Sequence, residues 1–130
     1  MALPPFLILI LSALIGLLVG SFLATLVLRL PKGRPVVFAR SACPHCGHPL
    51  GAAELIPVLS WIFQAGRCRA CRAPISVFYP VMEVLSAIIA TAAAYWVAWP
   101  GFVAVWFIGW GLLCVAAWAV WIDRADTFRR

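Results

Sequence analysis

Three long apolar segments dominate the pattern of hydrophobic and polar positions along this chain. The first covers residues 6–28 without a charge, the second covers residues 80–98 with Glu83 near its start, and the third covers residues 102–122. At a rise of about 1.5 Å per residue, a helix of this length reaches across the roughly 30 Å hydrocarbon core of a bilayer. The pattern therefore predicts an all-α integral membrane protein with three transmembrane helices.

The polar part of the chain is concentrated in one loop, residues 29–79, between the first two segments. In this loop we expect two cysteine turns and short helical turns near the string IPVLSW (56–61), and no long element. The string Trp99-Pro100-Gly101 separates the second and third segments and is typical of a tight turn between helices. The chain, residues 1–130, is interpreted as a single membrane domain.

The composition excludes an ordinary soluble domain. Hydrophobic residues make up 65% of the 130 positions and charged residues 11%, and the mean hydropathy is +1.05. Soluble domains average about 25% charged residues, and a small globule exposes too much surface to hide so many apolar side chains. Lipid must therefore cover much of the chain. A cleaved signal peptide is not expected, because no Lys or Arg precedes Arg29 and the apolar run is too long.

The Lys and Arg residues all lie on one side of the predicted membrane. They occur in the loop of residues 29–79 and in the tail of residues 123–130, whereas the N-terminus and the turn at 99–101 have none. Cytoplasmic segments carry the Lys/Arg excess, so the N-terminus is predicted outside and the C-terminus in the cytoplasm. The net charge of +6 also favours anionic lipid. Nucleic-acid binding is not expected, because the basic residues are dispersed and no series of stacking aromatics accompanies them.

Two cysteine pairs in the loop indicate a metal site. The strings CPHC (43–46) and CRAC (68–71) are separated by 21 residues, slightly more than the usual 15–20 of paired zinc turns. Two C-x-x-C turns supply the four thiolates of a structural zinc site. Disulfides are the alternative, but they are rare in the reducing cytoplasm, and a thioredoxin-like pair would need a βαβ pattern. The expected Zn²⁺ ligands are Cys43, Cys46, Cys68 and Cys71, with His45 and His48 as loop residues and Gly47 in a left-handed turn.

Small residues recur every fourth position in the first segment, at Ser12, Gly16, Gly20 and Ala24. Such a stripe lets helix backbones approach closely in lipid. We expect it to pack against the other helices of the same chain. A homo-oligomer, or docking onto a separate membrane partner through this face, is the alternative.

Six strings together resemble the N-terminal region of bacterial type IV prepilin peptidases, the aspartic peptidases of family A24. In chain order they are GSFLATLVLRLP (20–31), CPHC (43–46), IPVLSW (56–61), GRCRAC (66–71), PIS (74–76) and YPVME (79–83). The order and spacing of all six strings over residues 16–83 are far more specific for this family than the two cysteine pairs alone. That family consists of bifunctional inner-membrane peptidases and N-methyltransferases with a four-cysteine zinc loop between the first two helices. The resemblance therefore implies an inner-membrane location and the same four zinc ligands.

The resemblance also implies which carboxylates to look for. The family cleaves prepilin leaders with two aspartates, and the string WID (121–123) matches the context of the first, so Asp123 is a candidate for half of a dyad. The second belongs to a Gly-Asp motif, which does not occur in these 130 residues. Aspartic chemistry needs two carboxylates that share a proton. Asp123 also has a plainer interpretation as an interface residue beside Arg124, and Glu83 as a first-turn acid favoured by the helix dipole.

Three positions depart from the family pattern. Ala24 and Leu55 stand where the family usually has Asn, and Phe78 stands where it usually has Arg. Each change replaces a polar group by an apolar one, which puts substrate and methyl-donor binding in doubt. S-adenosylmethionine is a cofactor expected by resemblance only.

Two function hypotheses follow. In the first, the chain is a stand-alone relative of the prepilin peptidase N-terminal domain, a non-proteolytic membrane module that assists type IV pilin processing or assembly of the pilus or type II secretion system. In the second, it is one half of a split prepilin peptidase/N-methyltransferase, in which a partner chain supplies the other aspartate. Prepilin and a separate peptidase-domain chain are the expected partners, besides membrane lipid. A decaying gene product is a third alternative, against which the four intact cysteines argue.

Overall fold

A computed structural model describes residues 4–30, 40–96 and 101–127 of the chain, without the side chains of Phe102 and of residues 120–127. Four α-helices follow one another in the order α1 (Pro5–Arg29), α2 (Leu59–Phe63), α3 (Phe78–Trp96) and α4 (Gly101–Thr127). A 3₁₀ turn, Ala52–Leu55, precedes α2. The described fold is thus mostly helical, as the sequence predicts.

Two helices in the described part of the chain, α1 and α3, are long and apolar enough to cross a membrane. Helix α1 begins with Pro5, whose fixed φ suits the first helical position. In α4 the residues whose side chains are described include the apolar stretch Val103–Ala119. The predicted turn includes Trp99 and Pro100, which lie outside the described residues, as do Lys32 and Arg34 of the loop and residues 128–130 of the tail.

The small-residue stripe of α1 packs against α3. Its four members are buried, together with Val27. A Cβ atom added at Gly16 would lie 2.6 Å from the Ala87 Cα, and one added at Gly20 would lie 2.7 Å from the Glu83 Cα. The two backbones are therefore almost in contact, which only small residues permit. The expected internal packing is confirmed, and oligomerisation through the same face stays a prediction.

Helix α4 packs on α3 through one glycine and one polar pair. A Cβ at Gly109 would lie 2.7 Å from the Ile89 Cγ2. At the next residue, the Trp110 indole N–H donates a hydrogen bond at 2.5 Å to the hydroxyl of Ser86, which lies about one turn before Ile89 on α3. Ser86 is fully buried, and a buried hydroxyl without a partner would cost stability, so this bond holds the two helices in register.

The loop between α1 and α3 has little regular structure, as expected. Besides the 3₁₀ turn and α2, its described residues form two isolated antiparallel bridges, Ala42 with Pro49 and Arg67 with Pro74. Each bridge closes one cysteine turn. The short helical turns near IPVLSW are confirmed by the position of α2.

We expect Gly20→Leu to lower the free energy of unfolding by about 1–3 kcal/mol, the usual cost of overpacking. The new side chain would collide with backbone atoms of α3, which cannot rotate away. Thermal unfolding in detergent, followed by intrinsic fluorescence, measures the effect. The matched control is Gly111→Leu, because nothing lies within 4 Å of a Cβ at Gly111; equal loss in both variants would contradict the close α1–α3 contact.

Candidate metal centre

The four predicted cysteines lie together at the tips of the two bridged turns. All four sulfur atoms are within 4.8 Å of one another, and the Sγ atoms of Cys43 and Cys71 are 3.8 Å apart. A tetrahedral ion with Zn–S bonds of about 2.3 Å holds its sulfurs about 3.8 Å apart. The side-chain positions therefore fit a four-thiolate metal site, consistent with structural Zn²⁺, and the cysteines are free thiols.

The two cysteine turns share one hydrogen-bond pattern. In the first, the Cys43 N–H donates to the His48 carbonyl at 2.9 Å and the Gly47 N–H to the Cys43 carbonyl at 3.0 Å. The same bonds recur 25 residues later, from Cys68 N–H to Ala73 C=O at 2.8 Å and from Arg72 N–H to Cys68 C=O at 2.9 Å. The turns are thus a structural repeat. Its signal in the sequence, a proline three residues after the second cysteine of each pair (Pro49 and Pro74), was missed in the sequence analysis.

Each turn needs one residue with a left-handed backbone directly after its second cysteine. Gly47 takes this place with φ of 72°, as predicted, and Arg72 takes the equivalent place with φ of 61°. Glycine adopts this conformation without a steric penalty, whereas another residue loses about 1–2 kcal/mol. The second turn is therefore intrinsically the weaker one, and a bound ion would offset its strain.

Backbone donors favour ionisation of one thiol. The N–H groups of Cys46 and then of His45 point at the Cys43 sulfur and lower the pKa of Cys43 to about 6, against a smaller opposing effect of burial. Amide donors aimed at sulfur stabilise the thiolate, which is the form that binds metal. Cys43 is thus prepared as a ligand by its own turn.

The surroundings of the Cys71 thiol oppose its ionisation. The Ala73 N–H lowers the pKa of Cys71, but the Cys46 thiol, burial and the Cys68 and Cys43 thiols together outweigh it and raise that pKa to about 12. Four neighbouring sulfurs cannot all carry negative charge without a positive one between them. A divalent ion would supply that charge, and its binding would release the remaining protons.

Basic side chains surround the cluster. A zinc–tetrathiolate centre carries a charge of about −2, and the second turn carries the exposed residues Arg67, Arg69 and Arg72. His48 belongs to the site's edge, where its Nε2 lies 3.7 Å from a carboxylate oxygen of Glu54. The cysteine cluster includes neither His45 nor His48, in agreement with their predicted role as loop residues.

A tryptophan braces the second cysteine turn. The Trp61 indole N–H donates to the Ile75 carbonyl at 3.2 Å, and the Ile75 N–H donates to the Gly66 carbonyl at 2.7 Å. A Cβ at Gly66, whose φ is 66°, would lie 2.8 Å from the Trp61 ring. Helix α2 thereby fixes the approach of the chain to Cys68.

One hydrogen bond fastens the loop to the helix pair. The Val58 N–H donates to a Glu83 carboxylate oxygen at 2.6 Å. Glu83 is only 5% exposed, and a buried carboxylate needs such a donor. Val58 has φ of 61°, an outlying conformation for a β-branched residue, so this bond also retains a strained turn.

The interpretation of Glu83 as a first-turn acid is wrong. Helix α3 begins at Phe78, two residues before the predicted start, and has no acid in its first turn. Glu83 therefore lies two residues further into the helix than expected, in its second turn and against Gly20 of α1. The role of Glu83 as the acceptor for Val58 was missed because 25 residues separate the two.

The other predicted site residue, Asp123, lies on the backbone of α4, but its side chain is outside the description. Its place in an aspartate dyad stays a prediction. S-adenosylmethionine binding likewise stays an expectation from resemblance.

We expect the purified chain to hold about one Zn²⁺, and Cys68→Ser to lose most of it, because three thiolates bind a structural zinc far more weakly than four. Elemental analysis by mass spectrometry measures the metal. Cys114→Ser is the control, since Cys114 lies in α4 outside the cluster. Full zinc retention by Cys68→Ser would contradict the site.

Removal of the Glu83 acceptor should loosen the loop. We expect Glu83→Ala to speed amide exchange over residues 55–63 by about tenfold or more, the equivalent of losing one buried hydrogen bond to a charged group. Glu83→Gln keeps an oxygen acceptor and should stay near wild type. Hydrogen–deuterium exchange in detergent compares the two, and equal rates in Glu83→Ala and wild type would show that the bond does not hold the loop.

The sequence of this chain is similar to a known protein family. Residues 14–97 match the family model described as the Bacterial Peptidase A24 N-terminal domain. The curated relatives include the prepilin leader peptidase/N-methyltransferases of Aeromonas hydrophila, 36% identical over 95% of this chain and 48% of the relative, and of Myxococcus xanthus, 48% identical over 58% and 22%. That of Burkholderia pseudomallei strain 1026b is 41% identical over 71% and 38%.

The chain spans about half or less of the length of these relatives. No solved structure matches it. The matched region contains all four cysteines, Gly16, Gly20 and Ala24 of the α1 stripe, and the whole of α3, which are the parts that form and carry the candidate metal centre. The chain therefore belongs to the bacterial peptidase A24 N-terminal domain family.

Proposed function

We propose that this chain serves prepilin processing as a membrane module that is not proteolytic on its own residues. The observation that carries the proposal is the four-cysteine loop docked on two membrane-length helices, in a domain whose curated relatives are named prepilin leader peptidase/N-methyltransferase. Four protein ligands leave no open position on a tetrahedral ion, which favours a structural role for the metal. The module would assist pilin processing or assembly of the type IV pilus or type II secretion system.

The proposed placement is the inner membrane, with three passes. In this arrangement α4 is the third pass, the N-terminus is outside, and the zinc loop and C-terminal tail are cytoplasmic. The clustering of Lys and Arg in the loop and tail supports it.

The carboxylates support a non-proteolytic role. The chain has four acidic residues, and two of them are engaged structurally. Glu83 accepts from the Val58 N–H, and Glu54 accepts from the Gly51 N–H at 2.9 Å. An aspartic mechanism needs two carboxylates across one water, and neither Glu54 nor Glu83 is free to act as the partner of Asp123.

One observation favours a split enzyme as the second candidate. The similarity to the Aeromonas hydrophila protein extends over 95% of this chain, beyond the domain of residues 14–97 and into α4. In that version Asp123 is one of two catalytic aspartates and a partner chain supplies the other. A prepilin methyl-transfer activity would equally depend on that partner.

A reconstituted cleavage assay tests both versions. Zinc-loaded chain in nanodiscs is mixed with a prepilin from the same cell, with or without a separately expressed membrane polypeptide that carries a Gly-Asp helix. We expect no leader removal by the chain alone. The module predicts that the chain accelerates cleavage by that polypeptide and that Cys68→Ser abolishes the acceleration while Asp123→Asn does not.

Loss of cleavage in Asp123→Asn, with zinc content unchanged, would instead establish the split enzyme. Leader removal by the chain alone would overturn the module, because it would mean that these residues contain a complete dyad. Gel mobility and the mass of the mature pilin N-terminus report cleavage and methylation separately.

A further inference from the structure

An apolar patch lies on the loop, outside the membrane-length helices. It consists of five large side chains that are each close to half exposed or more, namely Leu55, Ile56, Leu59, Ile62 and Phe63. Phe63 is the extreme at 83% exposed. Contiguous exposed apolar surface of this kind marks an interaction site.

Three residues of the patch lie on one face of helix α2. Leu59, Ile62 and Phe63 follow the i, i+3, i+4 spacing that places side chains on one face of a helix. Trp61 of the same helix is instead held toward the cysteine turn by its bond to the Ile75 carbonyl. Helix α2 is thus a short amphipathic element with one face toward the metal site and the other uncovered.

The depth of the patch is set by the bond between Val58 and Glu83. Glu83 is five residues past the start of α3 at Phe78, which is about 7–8 Å along the helix axis. The 19 residues of α3 span about 28 Å, close to the full hydrocarbon thickness. A segment hydrogen-bonded at the level of Glu83 therefore cannot lie in the water above the bilayer.

Helix α1 also places Glu83 inside the helix pair, at a larger distance from its own end. Gly20 contacts Glu83, and α1 continues nine residues further, to Arg29, a distance of about 13 Å. Helix α3 also carries exposed apolar residues beyond Glu83, among them Val84 and Ile88, as expected of a helix that faces lipid.

The charges beside the patch match an anionic lipid surface. Arg67, Arg69 and Arg72 are exposed on the neighbouring cysteine turn, and the one ion pair found among the described residues, His48 with Glu54, does not involve them. An apolar face flanked by arginines is the composition of an element that lies in a membrane interface.

We propose that the segment Leu55–Phe63 inserts into the cytoplasmic leaflet, where lipid acyl chains cover the apolar patch and headgroup phosphates pair with the arginines of the second cysteine turn. The zinc loop then lies on the membrane surface. This inference rests on the membrane position of α1 and α3 and is independent of any role in prepilin processing.

Site-specific photocrosslinking of the full chain tests it. The photoreactive residue p-benzoylphenylalanine replaces Phe63 in nanodiscs of phosphatidylethanolamine and phosphatidylglycerol, and intact mass reports the adduct. The positive control is the same probe at Phe22, a half-exposed position on α1 next to the level of Glu83. The negative control is His45, exposed in the first cysteine turn, which carries none of the proposed headgroup-binding arginines.

We expect lipid adducts at positions 63 and 22 at comparable yield, and at least tenfold less at position 45. A lipid adduct at 22 without one at 63, or a crosslinked chain dimer at 63, would overturn the proposal. A protein adduct at 63 in native membranes would do the same. Absence of lipid at position 22 would overturn the membrane position of α1 on which the inference rests. A zinc content equal to that of the wild type shows that a variant is folded. If the variant with the probe at Phe63 loses zinc, the test is repeated with the probe at Leu59.

Discussion

The near-contact of the α1 and α3 backbones is the constraint on which the rest of the structure depends. Gly16 and Gly20 leave no room for a Cβ, so the two helices approach closely enough to enclose Glu83. An enclosed carboxylate in an apolar environment requires a donor. The Val58 N–H supplies it, and the loop is thereby tied to the helix pair. The packing of α1 on α3 therefore determines the position of the cysteine loop.

The loop itself has almost no hydrophobic core. Among its described residues the buried hydrophobic side chains are Cys43 and Cys68, which are the ligands themselves. A piece of chain this short cannot offset its ordering entropy by burial alone, and a metal is a standard substitute. The described structure gives the loop two supports, the hydrogen bond of Trp61 to the Ile75 carbonyl and that of Val58 to Glu83. An ion held by the four cysteines would be a third.

The thiols of the two cysteine turns differ in how readily they ionise. The first turn stabilises a thiolate at Cys43 with its own N–H groups, and it has glycine at the left-handed position. The second turn holds the proton of Cys71 firmly and forces an arginine into the strained conformation. The first turn is therefore better arranged to bind a metal ion, and an ion shared between the turns would offset the strain and the charge repulsion of the second.

The sequence by itself determined the helical class, the four cysteines, the left-handed turn at Gly47 and the family. These depend on local information: uninterrupted apolar runs, C-x-x-C spacing and strings of neighbouring residues. It also predicted internal packing of the small-residue stripe, because a repeat of four residues defines one helix face. Only the tertiary structure decided that Glu83 is buried and bonded to Val58, that Arg72 repeats the role of Gly47, and that one face of α2 is left uncovered. Those features arise from contacts between residues about 25 or more positions apart or from the closing of a turn around distant sulfurs, and no local pattern encodes the distance between two packed backbones.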